Sequence, residues 1–557
     1  MAWVLVLLAA FFSVAQAAPR LERQGSAPTV SFDWFEYTGK DAVFESPLPA
    51  GSYRNPILAG FYPDPSVTRV GGKFYLVNST FGYFPGIPVF ESSDLVHWRL
   101  LGHVLERPSQ LRFDGLGISR GVFAPAIHHH DGVFYVLNTL VDSGGNFIST
   151  AKNPAGPWSD PVWLAEIDGI DPSLFVDADG KAYVLNNGVP PEPPKYDGHR
   201  AIWMQEFDLQ RMKLIGPRRV LLNGGVDISK QPVWIEGPHL FKRGEWYYLM
   251  CAEGGTSVNH SEVILRSRAV WGPYAPYENN PILTQRDLPK ERANPVINAG
   301  HADLVEAPDG TWWATLLGSR PYDGVNYHTG RETYLLPVTW KNDWPVILEQ
   351  GRPIPHIATA PKLPNANRDV APLTGNFTWR DEFDRRELNP AWLQVRAPKR
   401  QWFDLASEPG RLNVAPTDER LDGKANPAYL GRRQQHLAFE AGTSLRLPKE
   451  PGVAAGIAAF QNGQHWYFLG ARRDGDAVQV FLEKQNGATT QQLAAATLKS
   501  TGDIKLKITG EGREYSFYYD ARGWQPLLKN DDGSILSTEV AGGFVGATLG
   551  PHARLEH

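Results

Sequence analysis

The same order of hydrophobic and polar positions recurs five times along the first two thirds of the chain. In each copy a short segment of small or polar residues leads to a turn with glycine and then to a strand rich in aromatic residues. Intervals of 60, 48, 64 and 66 residues separate the turn glycines, which are Gly72, Gly132, Gly180, Gly244 and Gly310. Each interval accommodates about four short strands with their loops, the size of a propeller blade, whereas the repeats of a β-helix are far shorter. The pattern therefore predicts a five-bladed β-propeller over residues 53–350.

The pattern changes after residue 350. Residues 351–375 are rich in proline and show little periodicity, which is typical of a linker. Residues 376–551 return to alternating apolar and polar positions, as in Ile504-Lys-Leu-Lys-Ile, with Gly, Asp and Asn between the runs. This alternation predicts a second domain that is also all-β, a β-sandwich.

The two ends of the chain carry different signals. Residues 4–12 form an uninterrupted apolar run and Ala15-Gln-Ala offers a cleavage site, so residues 1–17 are predicted to be a secretory signal peptide, although no basic residue precedes the run. The run is too short to span a bilayer, which predicts a secreted, extracellular protein without a membrane anchor. Residues 18–52 are interpreted as an N-terminal extension. Residues 552–557 are interpreted as a C-terminal tail whose end resembles the remnant of an affinity tag.

Composition agrees with an all-β chain and excludes several partners. Gly (54), Pro (45) and the aromatic residues (18 Trp, 26 Phe and 20 Tyr) are abundant, as expected of short strands joined by tight turns. The formal net charge of −5 provides no positive field for nucleic acid or for an anionic membrane. The single cysteine, Cys251, rules out an intramolecular disulfide and any CxxC site.

Acidic residues occupy the same register in three of the five repeats. Counting back eight or nine residues from each turn glycine finds Asp64, Ala124, Asp171, Glu236 and His301. Equivalent positions of the innermost strands converge on the axis of a propeller, and a purely structural propeller gains nothing from collecting like charges there. Glycoside hydrolysis, in contrast, uses a protonated acid, an ionised carboxylate and a neighbouring charge that raises the pKa of the acid. Each residue alone fits an ordinary turn, salt bridge or core position, and it is the shared register that favours the catalytic interpretation.

Six motifs occur in chain order between residues 53 and 345. They are Asn55-Pro-Ile-Leu-Ala-Gly-Phe-Tyr-Pro-Asp-Pro-Ser, Phe123-Ala-Pro-Ala, Ile170-Asp-Pro-Ser-Leu-Phe, Ile235-Glu-Gly-Pro-His-Leu, Asn298-Ala-Gly-His-Ala-Asp-Leu and Gly330-Arg-Glu-Thr. Together they resemble glycoside hydrolase family 43, in its xylosidase and arabinofuranosidase branch. Two further segments, Arg432-Arg-Gln-Gln-His and Phe460-Gln-Asn-Gly-Gln-His-Trp-Tyr-Phe-Leu-Gly, resemble the concanavalin-like sandwich, a jelly roll, that follows the propeller in that branch.

The resemblance implies an inverting mechanism in a pocket that takes the end of a glycan. By their positions in the motifs, Asp64 would be the general base that activates water and Glu236 the general acid. Asp171 would orient the acid and tune its pKa.

The resemblance also implies residues that bind substrate. Phe123 would line the pocket and Arg331 would hydrogen-bond sugar hydroxyls. His301 would lie at the bottom of the channel, in contact with substrate and at the place where some family members hold a calcium ion. We expect no required cofactor and a monomeric protein.

The overall likeness is to secreted fungal arabinoxylan arabinofuranohydrolases. It implies release of α-L-arabinofuranose side chains from arabinoxylan or its oligosaccharides, specifically O3-linked arabinose on doubly substituted xylose. A β-xylosidase acting on xylo-oligosaccharides is the main alternative, because both activities share this scaffold and these carboxylates. A non-catalytic carbohydrate-binding protein is the third, and it would not need an acid–base pair. The proline-rich residues 187–196 are either a surface excursion or a rim element that selects the branching pattern of the substrate.

Overall fold

The computed structural model describes residues 28–113, 115–364, 370–499 and 502–556. The signal peptide predicted at residues 1–17 lies outside these ranges. In the described ranges no helix is long and apolar enough to cross a membrane. Strands dominate them, and the helical segments there are short: Ala42–Phe44, Pro108–Gln110, Ile228–Lys230, Gly533–Leu536 and Thr538–Ala541.

Five antiparallel sheets are arranged as the blades of a β-propeller, which confirms the predicted architecture. Each innermost strand contacts the innermost strand of the next blade, and the last contacts the first, so the ring is closed. In blades I to V these innermost strands are Ser66–Val70, Ala126–His130, Ile170–Val176, Glu236–Arg243 and Ile297–Glu306.

The outer strands complete each blade in the order of the chain. Three blades have three outer strands each: Lys73–Val77, Gly86–Ser92 and Arg99–Leu105 in blade I; Ala182–Gly188, Ala201–Asp208 and Lys213–Asn223 in blade III; and Trp312–Ser319, Glu332–Lys341 and Trp344–Val346 in blade V. Blade II has Val133–Val141, Gly145–Ala151 and Val162–Trp163, and the short strand Gly121–Val122 also pairs with Val133–Val141. Blade IV has Trp246–Glu253, Ser261–Ser267 and Ala275–Pro276, and the short strand Leu283–Thr284 also pairs with Ser261–Ser267.

The turn glycines mark the hairpins between the first and second strands of the blades. In blade II both turn residues, Asp131 and Gly132, have positive φ, 47° and 75°. This backbone matches the twist of the flanking strands, and Asp-Gly adopts it readily. The recurring glycine in the sequence therefore has a local structural cause.

The chain before blade I is bonded to blade V and to the segment that follows it. The side chain of Asn55 accepts a hydrogen bond from Leu335 N (2.9 Å) and donates one to Leu335 O (3.0 Å), as a strand backbone would. Ser52–Arg54 pairs with Ile357–Thr359, so the region predicted to be a linker contributes a strand.

The second domain consists of two sheets packed on a common core that includes Trp392, Tyr467, Leu506 and Phe517. The strand order of the first sheet is Phe403–Asp404, Leu412–Val414, Val30–Gly39, Ala438–Arg446, Ile504–Glu511, Glu514–Asp520 and Trp524–Asp532, with Thr378–Asp381 also paired to Val30–Gly39. The order of the second is Thr489–Leu498, Ala477–Asn486, His465–Asp474, Val453–Asn462, Thr548–Leu555, Leu430–Arg433, Leu393–Val395 and Tyr83–Phe84.

The sandwich takes strands from outside the range that the sequence assigned to it. Val30–Gly39, which the sequence placed in an N-terminal extension, lies between two strands of the first sheet and its Phe32, Phe35 and Tyr37 are buried in the core. Tyr83–Phe84 from the propeller pairs with Leu393–Val395. The two domains are therefore joined by one shared sheet as well as by the connecting chain.

The structure corrects the prediction that residues 552–557 form a C-terminal tail. Residues 552–555 belong to Thr548–Leu555, which is hydrogen-bonded on one side to Val453–Asn462 and on the other to Leu430–Arg433. Arg554 is buried and forms a two-pronged ion pair with Glu483 at 2.8 and 2.9 Å. Because main-chain and side-chain partners both hold this segment, it is a structural strand.

A backbone-to-backbone contact joins blade V to the sandwich. Gly330 has φ of +69°, and a Cβ atom there would lie 2.8 Å from the backbone nitrogen of Gly546. A Cβ atom on Gly546 would lie 2.7 Å from the nitrogen of Gly330. Real Cβ atoms do not approach backbone this closely, so both positions require glycine for the domains to meet.

A buried arginine ties the same interface together. Arg320, in the loop after the second strand of blade V, donates to Asp41 (2.6 Å), to Glu332 (2.7 and 2.9 Å) and to Gln435 O (3.0 Å). These partners lie in the N-terminal segment, in the propeller and in the sandwich. Removing one member of a buried ion-pair network leaves uncompensated charge, so this network favours one arrangement of the two domains.

We expect Gly546→Ala to loosen the docking of the sandwich on blade V. Its methyl group would displace the backbone of Gly330, which we expect to lower the free energy of unfolding by about 1–3 kcal/mol. Thermal unfolding of the purified protein measures this loss. Gly72→Ala is the matched control, because a Cβ atom there meets nothing within 4 Å; equal melting temperatures for the two variants would contradict the close contact.

Candidate active site

Three carboxyl groups lie at the same end of the innermost strands of blades I, III and IV. Asp64 precedes Ser66–Val70, Asp171 is the second residue of its strand, and Glu236 is the first residue of its strand. All three side chains are buried. The shared register in the sequence thus becomes a shared position at one end of the propeller axis.

The backbone at these positions is irregular. Asp64, Asp171 and His301 have φ values of 53°, 55° and 49°, in the left-handed region that non-glycine residues seldom adopt. In blades III, IV and V the pairing register of the innermost strand also shifts beside the site residues. Bulges and strained backbone re-aim side chains and cluster at functional sites. Here they accompany the side chains that face the shared cavity.

All the site residues that the sequence singled out line one cavity of about 310 Å³. These residues are Asp64, Phe123, Asp171, Glu236, His301 and Arg331. A larger cavity of about 610 Å³ lies between blade V and the sandwich, and its walls include none of them. The smaller cavity is the candidate active site because the reactive groups converge there.

Asp64 is held in its ionised form. Burial by itself favours the neutral acid, but the guanidinium of Arg331 and the hydroxyl of Ser79 outweigh it, and the pKa of Asp64 lies below its usual value. Arg331 Nη1 donates to Asp64 Oδ1 at 3.1 Å, and Ser79 Oγ donates to the other oxygen. A buried carboxylate with these partners is suited to accept a proton.

The pKa values of Glu236 and Asp171 are raised, in contrast to that of Asp64. Burial raises the pKa of Glu236 well above its usual value, and the charges of Asp171 and Asp64 raise it further. Burial and the charge of Asp64 also raise the pKa of Asp171, although Gly237 N donates to its Oδ2 at 3.1 Å. Neighbouring carboxyls whose pKa values are pushed apart can serve as an acid and a base in one site.

His301 is neutral and packs closely on the backbone. Burial lowers its pKa to about 4, and a Cβ atom on Gly237 would lie 2.9 Å from its ring. In the part of the chain that the structure describes, no three His, Cys, Asp or Glu side chains are grouped to hold a metal ion. The residues around His301 therefore offer no ligand cluster of that kind, and the calcium ion predicted there stays a prediction.

Aromatic rings from both domains form one wall of the cavity. Phe81, Phe123 and Phe544 pack on one another with ring centroids 5.5 to 5.8 Å apart. Phe544 comes from the sandwich, and the Arg331 guanidinium lies 5.5 Å from its ring centroid. The sandwich therefore contributes directly to the cavity.

Other lining residues were not singled out from the sequence. Phe81, Arg120, Trp234 and Phe544 line the cavity without occupying the repeated register. Arg120 forms a two-pronged ion pair with Asp142 at 2.6 and 2.8 Å. Motif spacing offers no signal for Phe544, because its approach to the cavity depends on how the second domain docks.

Comparison with known proteins agrees with this geometry. The family model "Glycosyl hydrolases family 43" matches residues 53–345, and "Beta xylosidase C-terminal Concanavalin A-like domain" matches residues 380–554. A xylosidase/arabinosidase of Butyrivibrio fibrisolvens is 38% identical over 505 residues, which cover 90% of this chain and 95% of that protein. A non-reducing end alpha-L-arabinofuranosidase of Bacteroides ovatus is 38% identical over 510 residues, covering 90% and 91%.

A solved structure shows the same two-domain arrangement. It is a GH43_12 protein retrieved from a capybara gut metagenome, 39% identical, with a TM-score of 0.90, and the match covers 95% of this chain and all of that one. The matched family model spans the propeller with its three carboxyl groups, and the matched second model spans the sandwich. The chain therefore belongs to glycoside hydrolase family 43.

Proposed function

We propose that the protein is an inverting exo-glycosidase that releases α-L-arabinofuranose side chains from arabinoxylan. The observation that carries the proposal is that Asp64 and Glu236 line one buried pocket, where Arg331 lowers the pKa of Asp64 and burial raises the pKa of Glu236. The cavity volume of about 310 Å³ is at the small end of the range of about 300–1,000 Å³ for ligand sites. It suits one terminal sugar better than a length of polymer.

The proposed reaction is a single displacement, in which water replaces the departing sugar at the anomeric carbon. Glu236 gives its proton to the glycosidic oxygen, which leaves with the electron pair of the broken bond. A water molecule forms the new bond to the anomeric carbon from the opposite face and passes a proton to Asp64. Burial raises the pKa of Glu236, and Asp171 in its ionised form raises it further.

Arg331 has two tasks in this scheme. Its Nη1 atom holds Asp64 in the ionised state, and its Nε atom is buried without a hydrogen-bond partner among the described residues. An N–H group left unpaired in the pocket is suited to a sugar hydroxyl. Phe123 and Phe544 provide apolar surface for the face of the sugar ring.

The identity of the sugar is the finer part of the proposal. The name of the Bacteroides ovatus relative supports arabinofuranose, and we propose O3-linked arabinose of doubly substituted xylose as the preferred target. A β-xylosidase is the second candidate, favoured by the family description of the sandwich. A purely carbohydrate-binding role is disfavoured by an acid and a base in one pocket.

Further expectations are independent of this chemistry. We propose secretion through the leader predicted at residues 1–17, a monomeric state, and a calcium ion near His301 that catalysis does not require.

Substrate comparison tests the proposed activity. We expect the protein to release arabinose from doubly substituted arabinoxylo-oligosaccharides faster than from singly substituted ones, and to cleave aryl β-xylosides more slowly than aryl α-L-arabinofuranosides. Proton NMR during early turnover should show the inverted anomer first. A preference for aryl xylosides would select the second candidate, and a first product with retained configuration would contradict the mechanism.

Isosteric substitutions separate the acid from the base. We expect Glu236→Gln to lower kcat on oligosaccharides by roughly 10²–10⁴-fold, and to lower it much less on an aryl arabinofuranoside whose acidic phenol leaves without protonation. Asp64→Asn should lower both rates, because both reactions need activated water. Equal losses on the two substrates for Glu236→Gln would contradict its assignment.

Glu262→Gln is the matched control for these variants. Glu262 is a buried carboxyl of blade IV whose Oε2 accepts from Ala302 N at 2.9 Å, and it does not line the cavity. Burial raises its pKa, so the neutral amide resembles the group already present. We expect near wild-type rates from this variant, and unchanged melting temperatures for this variant and for Glu236→Gln.

Asp171→Asn tests the electrostatic role of Asp171. Burial and the Asp171 charge both raise the pKa of Glu236, and the substitution removes the charge. Activity requires protonated Glu236 and falls as the pH rises through its pKa, so the alkaline limb of the kcat/KM profile should move to lower pH. Asp177→Asn, at the residue that follows the far end of the same strand, should leave that limb in place; an unmoved limb in Asp171→Asn would contradict the role.

A further inference from the structure

Arg200 is a cation at the mouth of the candidate active site. Its guanidinium carbon lies 4.1 Å from the ring centroid of Trp234, and Trp234 lines the cavity two residues before Glu236. Both side chains are half-buried. The Arg200–Trp234 pair thus stands where the buried pocket meets solvent.

The guanidinium of Arg200 has unused hydrogen-bond donors. Among the described residues, no side-chain hydrogen bond or ion pair involves Arg200, and its Nε atom is buried without a partner. Arg120 and Arg331, the arginines that line the cavity itself, are each paired with a carboxylate. An arginine held on a ring but left without an acceptor is suited to bind a ligand that supplies oxygen atoms.

The surrounding loops hold the pair in place. Trp234 N donates to Gly198 O and Gly224 N donates to Arg200 O, both at 2.9 Å. The Tyr196 hydroxyl also donates across to the facing loop. These bonds fasten the end of the proline-rich excursion of blade III to the chain that leads into Glu236. Tyr196, the last residue of the proline-rich excursion, is thereby fixed to the loops next to Arg200 and Trp234.

The position of Arg200 relative to Glu236 indicates which part of the substrate it faces. Burial and the neighbouring carboxyls raise the pKa of Glu236, while the charges of Arg331 and Arg200 lower it. Arg331 lies inside the cavity on Asp64, whereas Arg200 approaches from the rim. Glu236 protonates the oxygen that joins the sugar inside the pocket to the sugar outside. A group beside Glu236 at the rim faces the outer sugar.

We propose that Arg200 is a substrate-binding residue for the sugar that departs, donating hydrogen bonds to its hydroxyl oxygens while Trp234 orients the guanidinium. The ligand class is a neutral pyranose of the glycan backbone. This inference deepens the proposed function and rests on it. A simple aryl leaving group has no hydroxyls at that place, so it would not use Arg200.

The ratio of two activities tests the inference. For Arg200→Met we expect kcat/KM on arabinoxylo-oligosaccharides to fall about 10-fold to 100-fold, the loss that accompanies removal of a charge-assisted hydrogen bond. Hydrolysis of 4-nitrophenyl α-L-arabinofuranoside should stay near the wild-type rate. An equal fall on both substrates would show an effect on the catalytic groups, and an unchanged oligosaccharide rate would show no contact; either result overturns the inference.

A matched control and a second substrate pair complete the design. Arg243→Met removes an arginine that also lies 4.1 Å from a tryptophan ring, that of Trp340, at the opposite end of the Glu236–Arg243 strand, and we expect it to change neither rate. The same ratio is measured with xylobiose and 4-nitrophenyl β-xyloside. The preference of the wild-type protein for arabinofuranosides or for xylosides tests the proposed function. The ratio of oligosaccharide to aryl glycoside hydrolysis by Arg200→Met tests the role of Arg200.

Discussion

Arg331 donates to Asp64 at 3.1 Å, and this ion pair keeps one carboxyl of the pocket ionised while burial raises the pKa of the two beside it. Three acids in one dry space would otherwise tend to take up protons and lose their different roles. Much of the architecture supports this contact. Arg331 follows Gly330, whose backbone meets Gly546 of the sandwich, so the position of the Arg331 guanidinium depends on the docking of the second domain.

The two domains form one structural unit because each contributes residues to the other. Phe544 of the sandwich lies in the pocket wall, and Tyr83–Phe84 of the propeller is a strand of a sandwich sheet. Arg320 gathers carboxylates from the N-terminal segment and from blade V inside the interface. Because separating these groups would leave a buried charge unpaired, the Arg320 network opposes displacement of the sandwich from the propeller.

Regular features of the molecule could be predicted because local rules govern them. An Asp-Gly turn such as Asp131-Gly132 adopts its backbone wherever it occurs, and a repeat of such turns implies blades. Rotation about one axis then brings Asp64, Asp171 and Glu236 together without further information. The strand Val30–Gly39 could not be assigned to the sandwich in this way, because its partners in Ala438–Arg446 are about 400 residues away. Residues 552–555 were missed as well, because no local turn connects them to their partners in Val453–Asn462.

The sequence by itself determined the fold class, the number of blades and the convergence of Asp64, Asp171 and Glu236, since each follows from a periodic pattern read over short distances. Only the tertiary structure decided which acid is ionised, because the pKa of each depends on burial and on Arg331, far away in the chain. It alone placed Phe544 and Arg200 beside the pocket. Those side chains belong to no repeat, and the contacts that hold them arise when blades, loops and sandwich pack against one another.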